Sequence, residues 1–549
     1  MVGTYEERMR VLDELYPTWK GYSLWEYFEE NSQRFFNKEF LVYSDCSFSY
    51  GDIYQYALQA AQGLRVIGVK KGSHIAVCMN NIPEYIALIF AIAKVGGVKV
   101  SVNTNVGEDE MQYIVDKADV EYCFCQEKRL LPILKNIGKI KKIVSMDEED
   151  NGICSWKDFL RMRCSETEDV GDEKIDIHAL CDIMFTSGST SAPKGVMMTH
   201  DMITSSGYAT ARSRGMEPGR RICVPIPLFH AFAYVEGLFA AITVGGTLLL
   251  FKEKFNTDKT LLAMQERKAN DIICVSPIMI DLLVKGKPSP ERFPVLHAAY
   301  WAAACPEWIW DRARQAFGIS DISTGYGMTE CGSTATIIRP EDDKDRVKVC
   351  HGRLKSGGRA AIDPDRDALL EIRIQNIETG EETGIDETGE VLLRGRTMTP
   401  GYYKDAVVTQ QTIDQDGWFH TGDLGILDEK GYLKFLGRSN DMYKINGENV
   451  SPQFVESILS RHEAVNVVEV VGIGHEKCGE VGVAFIDTDR PTEGLEEELR
   501  IYAKEHLARF QCPYYYIFMK RHNWPRTETG KISKKELRKV AVSYIQHHS

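Results

Sequence analysis

The sequence predicts an α/β protein: a large N-terminal part of helices stacked on mostly parallel sheets, then a β-rich stretch and a small α+β C-terminal domain. Three observations predict it. Amphipathic helical patterns alternate with short apolar runs from Tyr50 to Asn103 and again from Arg221 to Trp310, the rhythm of helices covering a parallel sheet. Between about Glu341 and Leu436 the texture changes to short strands separated by Gly and Asp. Beyond Gly437 it changes again, to a helix with a strong start signal and a Val-rich strand.

Taken in order, YQYALQAAQGLRVIG reads as a helix, HIAVCMN as a strand, EYIALIFAIAKVGG as a second helix and VKVSVN as the next strand. RICVPIP, GGTLLLF and DIICVSP repeat the apolar part of that rhythm, and ALLEIRIQ, GEVLLRG and GYLKFLG are the short strands of the β-rich stretch. Ser451 and Pro452 form an N-cap and first-turn pair for the helix QFVESILSRH, and VNVVEVVGI follows as a strand. The domain boundary falls near Gly437–Asn440, with residues 1–438 on one side and 439–549 on the other.

With 549 residues, 43% of them apolar and 26% charged, the chain has the composition of a globular protein of two or more domains. The net charge of −13 argues against a broad basic face for nucleic acid or anionic lipid and favours small-molecule partners. The 14 cysteines are scattered, with only Cys123 and Cys125 close together and no zinc-like spacing, so buried reduced thiols are expected. The N-terminus lacks the apolar core of a signal peptide. The most apolar run, Gly237 to Phe251, is too short to span a bilayer, so no integral membrane segment and a cytoplasmic enzyme are expected.

The most suggestive stretch is FTSGSTSAPKGV, beginning at Phe185. It joins what read as two buried strands, ending at Phe185 and resuming at Val196. From Gly188 to Lys194 the spacing approaches a Walker phosphate loop, but Pro193 stands in place of its second glycine and Gly195 in place of its hydroxyl, and that reading fails. What remains is a set of phosphate donors: backbone N–H groups around glycine, hydroxyls at Thr186, Ser187, Ser189, Thr190 and Ser191, and the Lys194 cation. A plain solvent-exposed loop has the same composition, so the loop alone leaves both readings open.

Five further stretches follow in order: PLFHAFA at Pro227–Ala233, GYGMTE at Gly325–Glu330, GWFHTGD at Gly417–Asp423, GRSNDMYKINGENVSP from Gly437, and PRTETGKISK at Pro525–Lys534. Together with the first loop they resemble the adenylate-forming superfamily, which includes acyl-CoA synthetases, aryl-CoA ligases, peptide-synthetase adenylation domains and beetle luciferase. The resemblance covers nearly the whole chain and is strongest to an acyl-CoA synthetase. It implies ATP, Mg²⁺ and coenzyme A as reactants and cofactors, a carboxylic acid as substrate, a β-barrel-like subdomain, and a mobile C-terminal domain.

Residue by residue, the resemblance implies that Thr186, Ser187, Gly188, Ser189, Thr190 and Lys194 hold the ATP phosphates. Within Thr324, Gly325, Tyr326 and Gly327, Tyr326 stacks on adenine. Thr329 lies at the α-phosphate, Glu330 on magnesium, Asp423 and Arg438 on the ribose, and Lys444 on the nucleotide. A carboxylate suits a hard cation, and an acceptor pair suits two ribose hydroxyls. The acyl group is expected among His230, Phe232, Ala233, Glu236, Ala302, Ala303 and Gly325, with His230 also gating the thiol. Lys531 is the expected catalytic cation of the adenylation step, Gly447 faces the thiol tunnel, and Asn440 is the hinge.

Taken alone, a histidine in an apolar run is usually a core residue, a Gly-Asp pair a turn, and a C-terminal lysine surface charge. Glu236 carries two readings: four residues from Phe232 and so on its face, it contacts a polar or cationic group of a short or functionalised acid, or it turns away and pairs with a surface lysine or a backbone donor. The chain departs from the family pattern at Ser189 and Ser191, at Asn440, and at YWAAACP, which replaces a glycine-rich segment. A CoA ligase is favoured because no fused carrier domain follows. The runner-up is a stand-alone enzyme that loads a carrier-protein phosphopantetheine, and a non-enzymatic ATP sensor is disfavoured by Lys531, Glu330 and Asp423 together.

Overall fold

The computed structural model describes residues 3–146, 153–162, 174–186, 193–252, 255–302, 306–446, 448–475, 477–526 and 532–548. Two seven-stranded sheets make up the N-terminal part. Across the first, the order is Ile153–Ser155, Lys142–Ser145, Tyr122–Cys125, His74–Cys78, Val98–Ser101, Leu180–Thr186 and Lys194–Thr199, parallel except for the last pair. Across the second it is Asp321–Ser323, Ala298–Ala302, Asp271–Val275, Arg221–Cys223, Thr247–Leu250, Glu39–Tyr43 and Cys46–Ser49, parallel except for the closing hairpin.

Parallel neighbours need long crossovers, and the predicted helix Pro83–Lys94 supplies the one from His74–Cys78 to Val98–Ser101, while the predicted helix Tyr50–Val66 links one sheet to the other. His74–Cys78 and Val98–Ser101 are buried at every position, as strands covered on both faces must be. Pro83–Lys94 is buried without a break from Tyr85 to Ala93, which fits a helix that is apolar all round. The helix His200–Ser213 is nearly as buried despite its hydroxyls. Those hydroxyls have partners: Thr204 Oγ1 donates to the His200 carbonyl one turn back at 3.1 Å and Ser206 Oγ to the distant Gly332 carbonyl at 2.9 Å. Satisfied in this way, they are tolerable in the core.

Lys99 and Asp182 face each other on neighbouring strands and form a buried ion pair at 2.6 Å. The Lys99 ammonium also lies 4.5 Å from the centre of the Tyr234 ring. The β-rich stretch is an antiparallel meander of Leu370–Gln375, Gly389–Gly395, Phe419–Leu427 and Leu433–Arg438.

The sheet changes after Arg438. Tyr443–Ile445 pairs with Glu448–Val450 and with the long strand Gly479–Asp487, which Val467–His475 and Tyr515–Phe518 flank. The predicted cap is present: Ser451 Oγ accepts the Phe454 N–H at 3.2 Å, with Pro452 opening the helix Pro452–Leu459. Arg461 pairs with Glu307 at 2.8 Å, the Trp308 indole donates to the Asn466 carbonyl at 3.4 Å, and Arg521 pairs with Asp281. These contacts join the C-terminal sheet to the larger part beside a cleft of about 710 Å³. No helix among the described residues is long and apolar enough to cross a membrane.

Candidate active site

The cleft opens where the parallel strands end. Asn80, Asn81, Val224, Pro225, Ile226, Pro227, Phe229, Val275, Pro277 and Ile278 line one wall; Asn466, Val467, Asp487, Asp489, Lys520, Arg521, His522 and Arg526 line the other side. Carboxyl ends of parallel strands are where open α/β sheets bind ligands. Arg526 makes a bridge with Ile532, so the described flanks of the lysine motif close on each other at this cleft. Lys531 lies outside the described residues, as do Ser187, Gly188, Ser189, Thr190, Ala303 and Gly447.

The ends of the first loop are described. Thr186 and Lys194 are register partners on antiparallel strands, which makes the residues between them a connection from one strand to the next. Segment 399–403 runs alongside: Met197 N–H donates to the Gly401 carbonyl at 3.1 Å and Tyr403 N–H to the Gly195 carbonyl at 2.8 Å. This places the Tyr402 ring 5.3 Å from the Lys194 ammonium, and the Tyr402 hydroxyl donates to Glu330 Oε1 at 2.9 Å. Burial beside Glu330 pushes the Tyr402 phenol up from its ordinary pKa. Lys194 and Glu330 are therefore brought to one tyrosine, a cation and a carboxylate at the same end of the site. Thr329 and Glu330 sit in a 3₁₀ turn that ends at Gly332, whose φ of 73° suits glycine.

A second cluster lies on the meander. Asp423 and Arg438 are register partners, with Arg438 Nε 3.4 Å from Asp423 Oδ1. The Tyr326 hydroxyl donates to Asp423 Oδ2 at 2.7 Å, and the Tyr326 ring packs on Phe435 at 5.3 Å. Asp423 is only 3% exposed, and its Oδ1 accepts no hydrogen bond from the described residues. Burial raises the Asp423 pKa, against the pull of the Tyr326 hydroxyl and Arg438. Apart from the Arg438 ion pair, that buried oxygen has no hydrogen-bond donor among the described residues, and a buried acceptor of this kind calls for a functional account.

Two glycines make this arrangement possible. A Cβ on Gly325 would come within 2.2 Å of the Thr336 carbonyl, and one on Gly327 within 2.3 Å of the Ser333 carbonyl. Thr324 and Tyr326 are fixed in the same strip of backbone, their carbonyls accepting the Ile338 and Ala335 N–H groups at 2.8 and 2.9 Å.

Residues 28–403 match the AMP-binding enzyme family, and residues 455–531 match the AMP-binding enzyme C-terminal domain. The chain belongs to the AMP-binding enzyme family. YngI of Bacillus subtilis (strain 168), a putative acyl-CoA synthetase by name, is 30% identical over 542 residues, covering 94% of this chain and 96% of that protein. The medium-chain acyl-CoA ligase ACSF2 of Danio rerio is 28% identical, covering 89% and 83%. Among solved structures, the anthranilate CoA ligase AuaEII in complex with anthranoyl-AMP superposes with a TM-score of 0.85 at 24% identity, covering 97% and 99%; that likeness concerns the fold. This AMP-binding enzyme is an acyl-CoA synthetase, an ATP-dependent acid–thiol ligase.

In this enzyme the expected acyl-side residues divide. Phe232–Phe239 is a π-helix. Phe232 packs edge-on against Tyr300 at 4.9 Å, Ala233 is buried, and Ala302 ends the strand Ala298–Ala302. His230 follows Phe229 with its ring 4.5 Å away, at the start of the π-helix.

Glu236 pairs with a lysine as its second reading has it, but the lysine is buried and not on the surface. Its carboxylate is fully buried and takes Lys355 Nζ at 3.3 Å and Thr334 Oγ1 at 2.7 Å on Oε1, and Thr210 Oγ1 at 2.6 Å on Oε2. With both oxygens engaged and a buried cation beside it, Glu236 offers nothing to a polar acid. Lys444 stands apart from both clusters: it is exposed on the C-terminal sheet, its backbone N–H held by Glu480 at 2.7 Å.

Sequence reasoning missed Tyr402, Lys355 and Glu390. Glu390 accepts the Gly422 N–H at 2.9 Å and lies 3.1 Å from His420 Nδ1, so it fixes the turn that presents Asp423. Nothing near these residues in sequence marks them, because each acts on a partner at least 30 residues away.

Proposed function

We propose that the enzyme transfers the acyl group from acyl-AMP to coenzyme A, with residues 1–438 forming the nucleotide and acyl site and residues 439–549 reorienting between the two half-reactions. The observation that carries this reading is the buried Asp423 Oδ1, which accepts no hydrogen bond from the described residues although Tyr326 and Arg438 flank the carboxylate. It is an acceptor waiting for hydroxyl donors, as a ribose provides.

With Tyr326 on adenine and Asp423 on the ribose, the polyphosphate runs toward Lys194, Thr329 and Glu330. A substrate carboxylate oxygen then attacks the α-phosphorus, the bond to pyrophosphate breaks, and the acyl-AMP remains. Lys531 neutralises charge as the two anions merge, and Lys194 holds the departing phosphates. A magnesium ion, where bound, fits the Glu330 carboxylate, an oxygen donor beside a phosphate-binding lysine; it would neutralise part of the polyphosphate charge.

In the second half-reaction a thiol attacks the acyl carbon and AMP leaves. His230, at the start of the π-helix, stands at the entrance to that carbon. Segment 439–441 is the pivot: it is a short 3₁₀ turn between two sheets, with Ser439 Oγ on the Gly422 carbonyl at 3.0 Å. Turning about Asn440 would bring Gly447 and Lys444 to the cleft and withdraw Lys531. The naming of relatives as CoA ligases supports CoA over a carrier protein. The described cysteines are unbridged thiols, which fits the reducing cytoplasm.

The test is pyrophosphate release from ATP with short, medium, long-chain and aryl carboxylates, with and without CoA. Acid-dependent release and a thioester product with free CoA are expected. Release that yields thioester only on a phosphopantetheinyl carrier protein would overturn the choice of acceptor.

A further inference from the structure

We propose that Asn81 is the positioning residue for His230: its side-chain amide clamps the turn Pro227–His230 and so sets where the imidazole stands in the thioester-forming step. This rests on the reading of His230 as the residue at the entrance to the acyl carbon, and it names what holds that residue in place.

The two segments come from different sheets. Asn81 follows the strand His74–Cys78 of the first sheet, and Pro227–His230 follows Arg221–Cys223 of the second. They meet in the wall of one cleft, which Asn81, Ile226, Pro227 and Phe229 all line. Asn81 Nδ2 donates to the Ile226 carbonyl at 2.8 Å, and the Leu228 N–H donates to Asn81 Oδ1 at 2.8 Å. The amide therefore reaches across Pro227, which has no N–H of its own, and takes one backbone group on each side of it. Turned round, the amide would set donor against donor and acceptor against acceptor, so its orientation is determined.

The clamp lies directly on the turn that ends at His230. The His230 N–H donates to the Pro227 carbonyl at 3.2 Å, closing a four-residue turn, and the His230 carbonyl accepts the Tyr234 N–H at 3.0 Å at the entry to the π-helix. Holding Ile226 and Leu228 fixes the start of this turn, and with it the imidazole at its end. The other side of the clamp is anchored too. The Asn80 N–H and Nδ2 donate to Gln126 Oε1 at 2.9 and 3.2 Å, and Asn80 Oδ1 accepts the Thr104 hydroxyl at 3.3 Å. Two residues after Asn81 the buried helix Pro83–Lys94 begins.

The chemistry asks for an amide. Asn81 is only 9% exposed, and Ile226 and Leu228 are buried, so alanine here would leave a buried carbonyl and a buried N–H without this partner. Aspartate would still accept the Leu228 N–H, but ionised it would turn a second acceptor toward the Ile226 carbonyl; only its protonated form donates there.

The experiment compares the full-length wild type with Asn81→Ala, Asn81→Asp, His230→Ala and the double variant Asn81→Ala/His230→Ala. Rapid quench follows acyl-AMP formation, and separately thioester formation from pre-made acyl-AMP and CoA, with the thermal midpoint recorded. Butyryl-, octanoyl- and benzoyl-AMP are the probes, and the one that the wild type turns over fastest serves for the variants. Asn81→Ala and His230→Ala should each slow thioester formation by about tenfold or more. Once His230 is gone, Asn81→Ala should cost that step nothing further, because it acts through that ring. Asn81→Asp should be slow at pH 8 and recover, relative to the wild type at the same pH, as the pH falls and its carboxyl takes up a proton; this variant replaces the alanine in the double variant should the alanine not fold. A folded Asn81→Ala enzyme with wild-type thioester formation would overturn the inference. So would losses that multiply in the double variant, or an Asn81→Asp enzyme with no recovery at low pH, and with His230→Ala slow each of these leaves the reading of His230 standing. Wild-type thioester formation by His230→Ala would instead remove that reading and this inference with it.

Discussion

Replacing Asp423 with Asn separates what this carboxylate does for ATP from what it costs the fold. Asn keeps the size and one carbonyl oxygen, so Tyr326 still has an acceptor at the 2.7 Å position. The other atom becomes an N–H₂ donor where Oδ1 now accepts no hydrogen bond from the described residues. One hydrogen bond from a ribose hydroxyl to a charged acceptor is lost, worth about 1.5–3 kcal/mol. At about 1.4 kcal/mol per tenfold, ATP should bind about ten- to a hundredfold more weakly. The ligand-free protein should move the other way. Burial raises the Asp423 pKa, so the ionised carboxylate at neutral pH weighs against folding, and the neutral amide removes that burden. The thermal midpoint without nucleotide should stay level or rise, while the ATP KM in pyrophosphate release rises. Arg438, 3.4 Å away and exposed, is solvated well enough to lose its partner cheaply. An Asp423→Asn enzyme with wild-type ATP affinity would refute the ribose assignment. A sharply lowered midpoint would refute the account of its burial.

Three other outcomes follow from the same structure. Lys531→Ala should slow acyl-AMP formation by about a hundredfold or more and leave thioester formation from pre-made acyl-AMP nearly intact; equal losses in rapid-quench assays of the two halves would rule out its assignment to adenylation. Lys355→Met strands the buried Glu236 carboxylate and should cost about 3–5 kcal/mol in denaturant unfolding, much of it recovered by adding Glu236→Gln; an additive double variant would show that the pair is not coupled. Burial depresses the His200 pKa to about 4 from 6.5, and its Nδ1 accepts the Leu24 N–H at 3.1 Å. The unfolded chain therefore binds the extra proton first, and stability should fall as pH drops from about 6.5 toward 4, by at most about 3 kcal/mol from this group; a His200→Gln variant with the same pH slope would assign the loss elsewhere.

Much of the fold was legible in the sequence because parallel strands covered on both faces are largely apolar, and His74–Cys78 and Asp271–Val275 are apolar after their first residue. Ser451–Pro452 placed a helix start because a cap is a local device. The π-helix at Phe232–Phe239 was not legible: its apolar residues serve a wider turn as well as an ordinary one, and the choice is made by packing. Asp423 and Tyr326 could be named from their motifs, but not that they meet, since 97 residues separate them. Glu236 was ambiguous for the same reason. Its environment depends on Lys355, 119 residues away, and nothing local distinguishes a lysine that enters the core from one that stays in water.

The central claim is that the acid reaches its thiol through an acyl-AMP made at the Tyr326–Asp423–Glu330–Lys194 site. Isotope transfer tests it most directly: the enzyme is run with an accepted acid labelled in its carboxylate with oxygen-18, and the products are weighed by mass spectrometry. Attack on the α-phosphorus leaves one carboxylate oxygen on the phosphate of AMP, so one label should appear in AMP and none in pyrophosphate. Label in inorganic phosphate alongside ADP, or AMP free of label while thioester accumulates, would contradict the account.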